Sequence, residues 1–151
     1  MSGTGQRRLQ ALVALIGLAG VAVSIYLTSV HYSAVQLVCS ATGAVDCERV
    51  LSSGYGVIGG SGLPTAAAGI LWFGVSMALG IARRRDPAAR RPAWTQLAWS
   101  AIGMLTVVYL VFVEIVQLGA ICIWCTAAHV LVLATFLLTV TVRPPASAPS
   151  P

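Results

Sequence analysis

The feature that most constrains this 151-residue chain is the spacing of its charges, which leave four long apolar stretches at about 9–30, 64–82, 93–118 and 120–142. Each is long enough to cross the roughly 30 Å hydrocarbon layer of a membrane. Charged residues make up 9 % of the chain, against about 25 % in ordinary soluble proteins, and hydrophobic residues make up 58 %. A water-exposed globule is excluded. The expected fold is an all-α integral membrane four-helix bundle, one domain over 9–142. Residues 1–8 are expected to form a cytoplasmic N-terminus and 143–151 a disordered cytoplasmic tail. The first stretch competes with a signal peptide, but a signal core is shorter, about 7–15 residues, and no small-x-small cleavage site precedes a soluble domain. It is read as a retained helix.

All nine basic residues are arginine, and the net charge is +5. Arg7 and Arg8 precede the first stretch, Arg83, Arg84, Arg85, Arg90 and Arg91 lie between the second and third, and Arg143 follows the fourth. If four helices alternate, these eight share one side and leave Arg49 opposite. That is an orientation signal, with some contact to anionic lipid, and not a phosphate-binding face for nucleic acid. Both termini are therefore expected in the cytoplasm. The loop from His31 to Leu63, which carries Cys39 and Cys47 and a short amphipathic turn over Glu48 to Leu51, is expected outside.

The short connection before the fourth helix puts Cys122 and Cys125 on that same outer side, where disulfides persist. Cys122-Ile123-Trp124-Cys125 is a C-x-x-C at a helix start, so its sulfurs are about one turn apart and the helix N-terminus favours a thiolate. Cys39 and Cys47 form a second pair in a loop expected to be mobile, able to visit both a soluble partner and the C-x-x-C. Cys125, one turn deeper than Cys122, would meet a hydrophobic electron acceptor in the bilayer.

Cys39-x7-Cys47-Glu48-Arg49-Val50-Leu51-Ser52-Ser53-Gly54-Tyr55-Gly56, the helix entry Gly62-Leu63-Pro64-Thr65 and the C-x-x-C, in that order, resemble the bacterial branch of the vitamin K epoxide reductase family. The resemblance covers about Leu9 to Val142. It implies a four-helix bundle enclosing a quinone, menaquinone or ubiquinone, as electron acceptor near the outer face. It also implies a thioredoxin-like disulfide-introducing protein as partner, expected to be separate from this chain. In that scheme Cys39 meets the partner, Cys47 exchanges with Cys122, and Cys125 reduces the quinone. The resemblance also makes Ser53 and Tyr55 pocket-lining residues. Where vertebrate members have a quinone-binding tyrosine this chain has His129, and their asparagine near the second helix aligns with Thr65.

Other readings stand beside these. The cysteines could be structural disulfides or inert thiols, or the ligands, with His31 or His129, of a non-enzymatic metal-binding membrane protein. His129 could be packed between helices, and His31 is read as an interfacial residue. Glu114 lies in the third span, where a charge at the midplane costs roughly 2.5–3.5 kcal/mol. It either supplies protons to the quinol or caps the neighbouring helix and orders the turn at Gly119. The Gly-rich run around Gly59 and Gly62 follows no strand, so it is read as loop and not as a phosphate cradle.

Overall fold

The computed structural model describes residues 3–39 and 42–142. Arg143 and the expected tail at 143–151 lie outside the described residues, as do the first two residues of the expected N-terminal segment. Helix α1 spans Gly3–His31, α2 Cys47–Leu51, α3 Thr65–Arg85, α4 Arg90–Phe112 and α5 Ile123–Thr141, and α4 runs on into a π-helical turn at Val113–Leu118. Four helical segments, Gly3–His31, Thr65–Arg85, Arg90–Leu118 and Ile123–Thr141, are long and apolar enough to cross a membrane. The chain is an all-α, multi-pass membrane protein.

The helices overrun the apolar stretches where those are flanked by charge. Helix α1 begins at Gly3, taking in Arg7 and Arg8, and α3 continues through Arg85. An apolar run marks the part of a helix that meets lipid. The backbone hydrogen bonds continue into water until a cap stops them. At the other end the helix is shorter than the run: α5 starts at Ile123, because Cys122 holds extended backbone, φ −99° and ψ 119°, and serves as N-cap.

The bundle is held by small and polar residues facing inward, with large apolar side chains facing out. On α1 the buried residues are Gln10, Val13, Gly17, Gly20, Ser24 and Leu27, and on α4 they are Ala93, Gln96, Ser100, Gly103 and Val107. Both rows alternate steps of three and four, the period that keeps one seam facing a neighbouring helix. Leu15, Leu18, Leu105 and Val108 are exposed on the outside. Lipid solvates them as well as a protein core would, so close packing of small residues, and not burial of large ones, decides which face turns inward. Phe73 on α3 lies against Gly20, and the Trp72 ring lies against Gly103. Buried hydroxyls are satisfied within their own helices: Ser76 donates to the Trp72 carbonyl at 2.8 Å and Thr139 to the Thr135 carbonyl at 2.7 Å.

The two ends of the bundle differ. At the arginine end, Arg83, fully buried, donates to Gln96 Oε1 at 3.0 Å and to the Val142 carbonyl at 3.4 Å, and Gln96 donates to Gln10 Oε1 at 3.0 Å. This links α1, α3, α4 and the end of α5. Midway, Trp72 and Trp99 each donate an indole N–H to the other's backbone carbonyl, at 3.3 and 3.1 Å, pinning α3 to α4. The opposite end carries all four cysteines.

Candidate functional site

Two segments far apart in sequence meet at the cysteine end. Val45 and Ile121 form a parallel bridge, in which the Asp46 N–H donates to the Ile121 carbonyl at 3.1 Å and the Ile121 N–H to the Ala44 carbonyl at 2.8 Å. Asp46 then caps α2, accepting from the Arg49 N–H at 3.0 Å, so Cys47 opens that short helix. Cys122 follows Ile121 and caps α5. The bridge thus brings Cys47, 1 % exposed, and Cys122, 0 % exposed, into one buried cluster with Val50 and Ala120. Cys39 and Cys125 pack against it, half-buried. Cys39 and Cys47 are joined in a disulfide, with Cα atoms 6.3 Å apart, and Cys122 and Cys125 are free thiols.

The loop that the sequence reading leaves mobile is docked in this structure. The segment before Cys39 is clipped on both sides: the Val38 N–H donates to the Tyr26 hydroxyl at 2.8 Å, and the Trp124 indole N–H donates to the Val38 carbonyl at 2.8 Å. The rings of Tyr26 and Trp124 lie 4.8 Å apart. These residues went unnoticed in the sequence, although Trp124, between the two cysteines of the C-x-x-C, was a signal to ask what that ring touches.

Cys122 Sγ accepts from the Cys125 N–H at 3.3 Å, as an N-cap side chain does. The Cys122 thiol is held below the ordinary thiol range, chiefly by the hydrogen bond from the Cys125 side chain, with the N–H groups of Cys125 and Trp124 acting the same way. Burial and the neighbouring Glu114 oppose this. The sulfur facing the cluster is the one whose thiolate is favoured.

Behind the C-x-x-C lies a cavity of about 350 Å³, largely apolar, between α1, α3, α4, α5 and the loop. Cys125 lines it, together with Ser53, Tyr55, Thr65, Glu114 and His129. Every expected pocket residue therefore borders one space, and His31 borders it as well. Their hydrogen bonds separate them. Ser53 donates its hydroxyl to the Val50 carbonyl at 2.7 Å, and Thr65 to the Tyr55 carbonyl at 3.1 Å. Both hydroxyl protons are committed to backbone, and Gly56 lets the loop pass close over Leu51, where a Cβ would strike the Leu51 carbonyl. Among the described residues, the side chains of His129 and Tyr55, which also line the cavity, have no hydrogen-bond partner. Ala68, Leu71 and Thr106 line the cavity and are also exposed on the outside of the bundle, so it reaches the bundle surface between α3 and α4.

Glu114 is 5 % exposed, and its carboxylate accepts from the Cys122 N–H at 3.3 Å. Its carbonyl accepts from the N–H groups of Gly119 and Ala120, the first with φ 58° in the left-handed region open to glycine. Capping the neighbouring helix and ordering the turn are thus both observed. Among the described residues, no three His, Cys, Asp or Glu side chains come together as a set that could hold a metal ion. The Cys39–Cys47 disulfide takes up two of the four thiols that a four-cysteine site would use.

The vitamin K epoxide reductase family model matches residues 11–140, which takes in all four cysteines and nearly all of the four spans. The chain belongs to that family. As a member it is an oxidoreductase of the membrane, whose chemistry is disulfide redox linked to a quinone. The cavity fits such a group: a space of this volume with apolar walls and a few polar side chains at one end suits a flat ring carrying an apolar tail.

Proposed function

We propose that this protein is a quinone-dependent thiol oxidase that regenerates the disulfide of an extracytoplasmic thioredoxin-like partner. Per turnover, two partner thiols and one quinone give one disulfide and one quinol. In this reading it sits in a bacterial cell membrane with both termini cytoplasmic and the cysteine end outside, as the arginines on the other end support. The quinone is menaquinone or ubiquinone, and when bound it supplies a two-electron, two-proton acceptor.

The residues act in order of their depth. A partner thiolate attacks Cys39, the more exposed sulfur of the loop disulfide, and Cys47 leaves as a thiolate. Cys47 attacks Cys122 when the C-x-x-C is oxidised, within the buried cluster that the two share beside the Val45–Ile121 bridge. Cys125 is then released as a thiolate on the cavity wall; the partner's second thiolate displaces Cys39 from the mixed disulfide, and Cys39 attacks Cys47 to re-form the loop disulfide and free Cys122. His129 and Tyr55 would hold ring oxygens through their free donors, while Thr65 and Ser53 shape the wall beside them. The observation that carries the reading is the split of the inner pair: Cys122 is buried against Cys47, and Cys125 borders the cavity.

The test is reconstitution in lipid vesicles with a reduced thioredoxin-like protein and either quinone. One disulfide should appear per quinol, and each Cys→Ala variant should abolish the coupling. His129→Ala should slow quinol formation by about 10-fold or more while exchange between Cys47 and Cys122 continues. Thiol oxidation that continues without quinone, or in Cys125→Ala, would refute the proposal.

A further inference from the structure

Glu114 is the single acidic residue inside the four apolar spans. The π-helical turn fixes it twice: its carbonyl holds the Gly119–Ala120 turn, and its carboxylate holds the N–H of Cys122. It borders the same cavity as Cys125. Among the described residues, no basic side chain bonds it. A helix N-terminus is served equally well by a neutral oxygen such as that of Ser or Asn, without the cost of an ionisable group within a span. Capping alone therefore leaves the acid unexplained.

The cavity chemistry moves protons as well as electrons. When Cys47 attacks the Cys122–Cys125 disulfide, the Cys47–Cys122 bond forms, the inner bond breaks, and a negative charge arrives on Cys125 beside Glu114. Two negative charges in one poorly hydrated space repel strongly. We propose that Glu114 is the proton carrier of this site, its carboxylate taking up a proton from water as the thiolate forms and releasing it into the cavity as the electron pair leaves. The proposal rests on the quinone-oxidase reading above. Over the closing half-reaction, with one sulfur already a thiolate, one S–H bond and the O–H bond of the Glu114 carboxyl break, one S–S bond forms between Cys122 and Cys125, and two O–H bonds form on the acceptor. The electron pair goes from sulfur to the ring, and one of the two protons passes through the Glu114 carboxyl. The other titratable groups facing this space are Cys125 and His129 of α5, Tyr55 of the loop and His31 of α1; Cys122, at the N-cap of α5, meets Glu114 through its N–H, and Glu48 and Arg49 are exposed on α2.

The experiment uses quinone-free protein carrying Cys39→Ala and Cys47→Ala, so that the C-x-x-C alone is redox-active. Redox-difference infrared spectra should show a protonated-carboxyl band gained on reduction and lost on reoxidation. Glu114→Gln should remove the band, and Glu114→Asp should shift it. No band in the parent, or a band that persists in Glu114→Gln, would overturn the proposal. In otherwise wild-type protein with quinone added, Glu114→Gln should slow single-turnover reoxidation of the C-x-x-C about 100-fold, with Cys47–Cys122 exchange changed less than about threefold. Equal slowing of both would make Glu114 a cap only. Failure of the wild type to reduce quinone at all would remove the parent reading, whereas the infrared result, obtained without quinone, judges the carboxyl separately.

Discussion

Val45 and Ile121 pair in parallel, in a loop and at a helix entry 76 positions apart, and this one bridge seats the second loop cysteine against the first cysteine of the C-x-x-C. The docked loop changes what limits the relay. If the loop swung freely, exchange between the two pairs would wait on a search. Here Cys47 and Cys122 already share a buried cluster, and Cys39 is left nearer the surface.

Cys125→Ala should therefore trap the relay. Cys122 then has no ring partner and remains available to Cys47. Non-reducing digestion and mass spectrometry after acid quench should find Cys47–Cys122 as the dominant inter-segment disulfide. A population dominated by Cys39–Cys122 would contradict the order of transfer.

The titration of Cys122 should follow its hydrogen bonds. Its thiol is lowered chiefly by the Cys125 side chain, so its thiolate persists to a lower pH than that of an ordinary cysteine and is lost as pH falls through the lowered value. In a background of Cys39→Ser and Cys47→Ser, ultraviolet thiolate absorbance should show the Cys122 midpoint moving up on Cys125→Ala. It should move less on Cys125→Ser, which keeps a donor. An unchanged midpoint in Cys125→Ala would place the cause elsewhere.

Sidedness has an equally direct check. On intact cells after mild reduction, an impermeant maleimide should label Cys39 first, since it is half-buried while Cys47 is 1 % exposed. Labelling only after the membrane is broken would invert the orientation and remove the extracytoplasmic partner.

What the sequence made legible follows from where lipid imposes rules. Four spans, and the gathering of all but one of the arginines at one end with the cysteines at the other, come from the high cost of charge in hydrocarbon. The inward faces were harder, because both faces of these helices are apolar. Gln10, Gln96 and Arg83 as an inner cluster did not show, since their contacts join four separate segments. The Val45–Ile121 bridge carries no strand pattern, being one residue long on each side. The π-helical turn is equally silent in sequence, yet it sets the position of Glu114. Thr65 and Ser53 enter through the family resemblance, and the backbone takes both hydroxyl protons, a competition that residue type alone does not reveal.

The close approach of α1 and α3 yields the sharpest stability contrast. A Cβ at Gly20 would run into the Phe73 ring, which is itself 2 % exposed and has nowhere to go. Gly74, next to Phe73 on α3, has nothing within 4 Å of where its Cβ would stand. Both are helical, so Ala gains roughly 0.5–1 kcal/mol of backbone preference at either position. At Gly20 that gain is outweighed by overpacking, about 1–3 kcal/mol, because the helices must separate or the ring must leave its rotamer. Gly20→Ala should thus lower the thermal midpoint in detergent, and Gly74→Ala should leave it unchanged or raise it. Phe73→Leu should restore much of the loss in Gly20→Ala by freeing the space in front of the new methyl. Equal midpoints for the two glycine variants would mean that α1 and α3 do not pack through this contact.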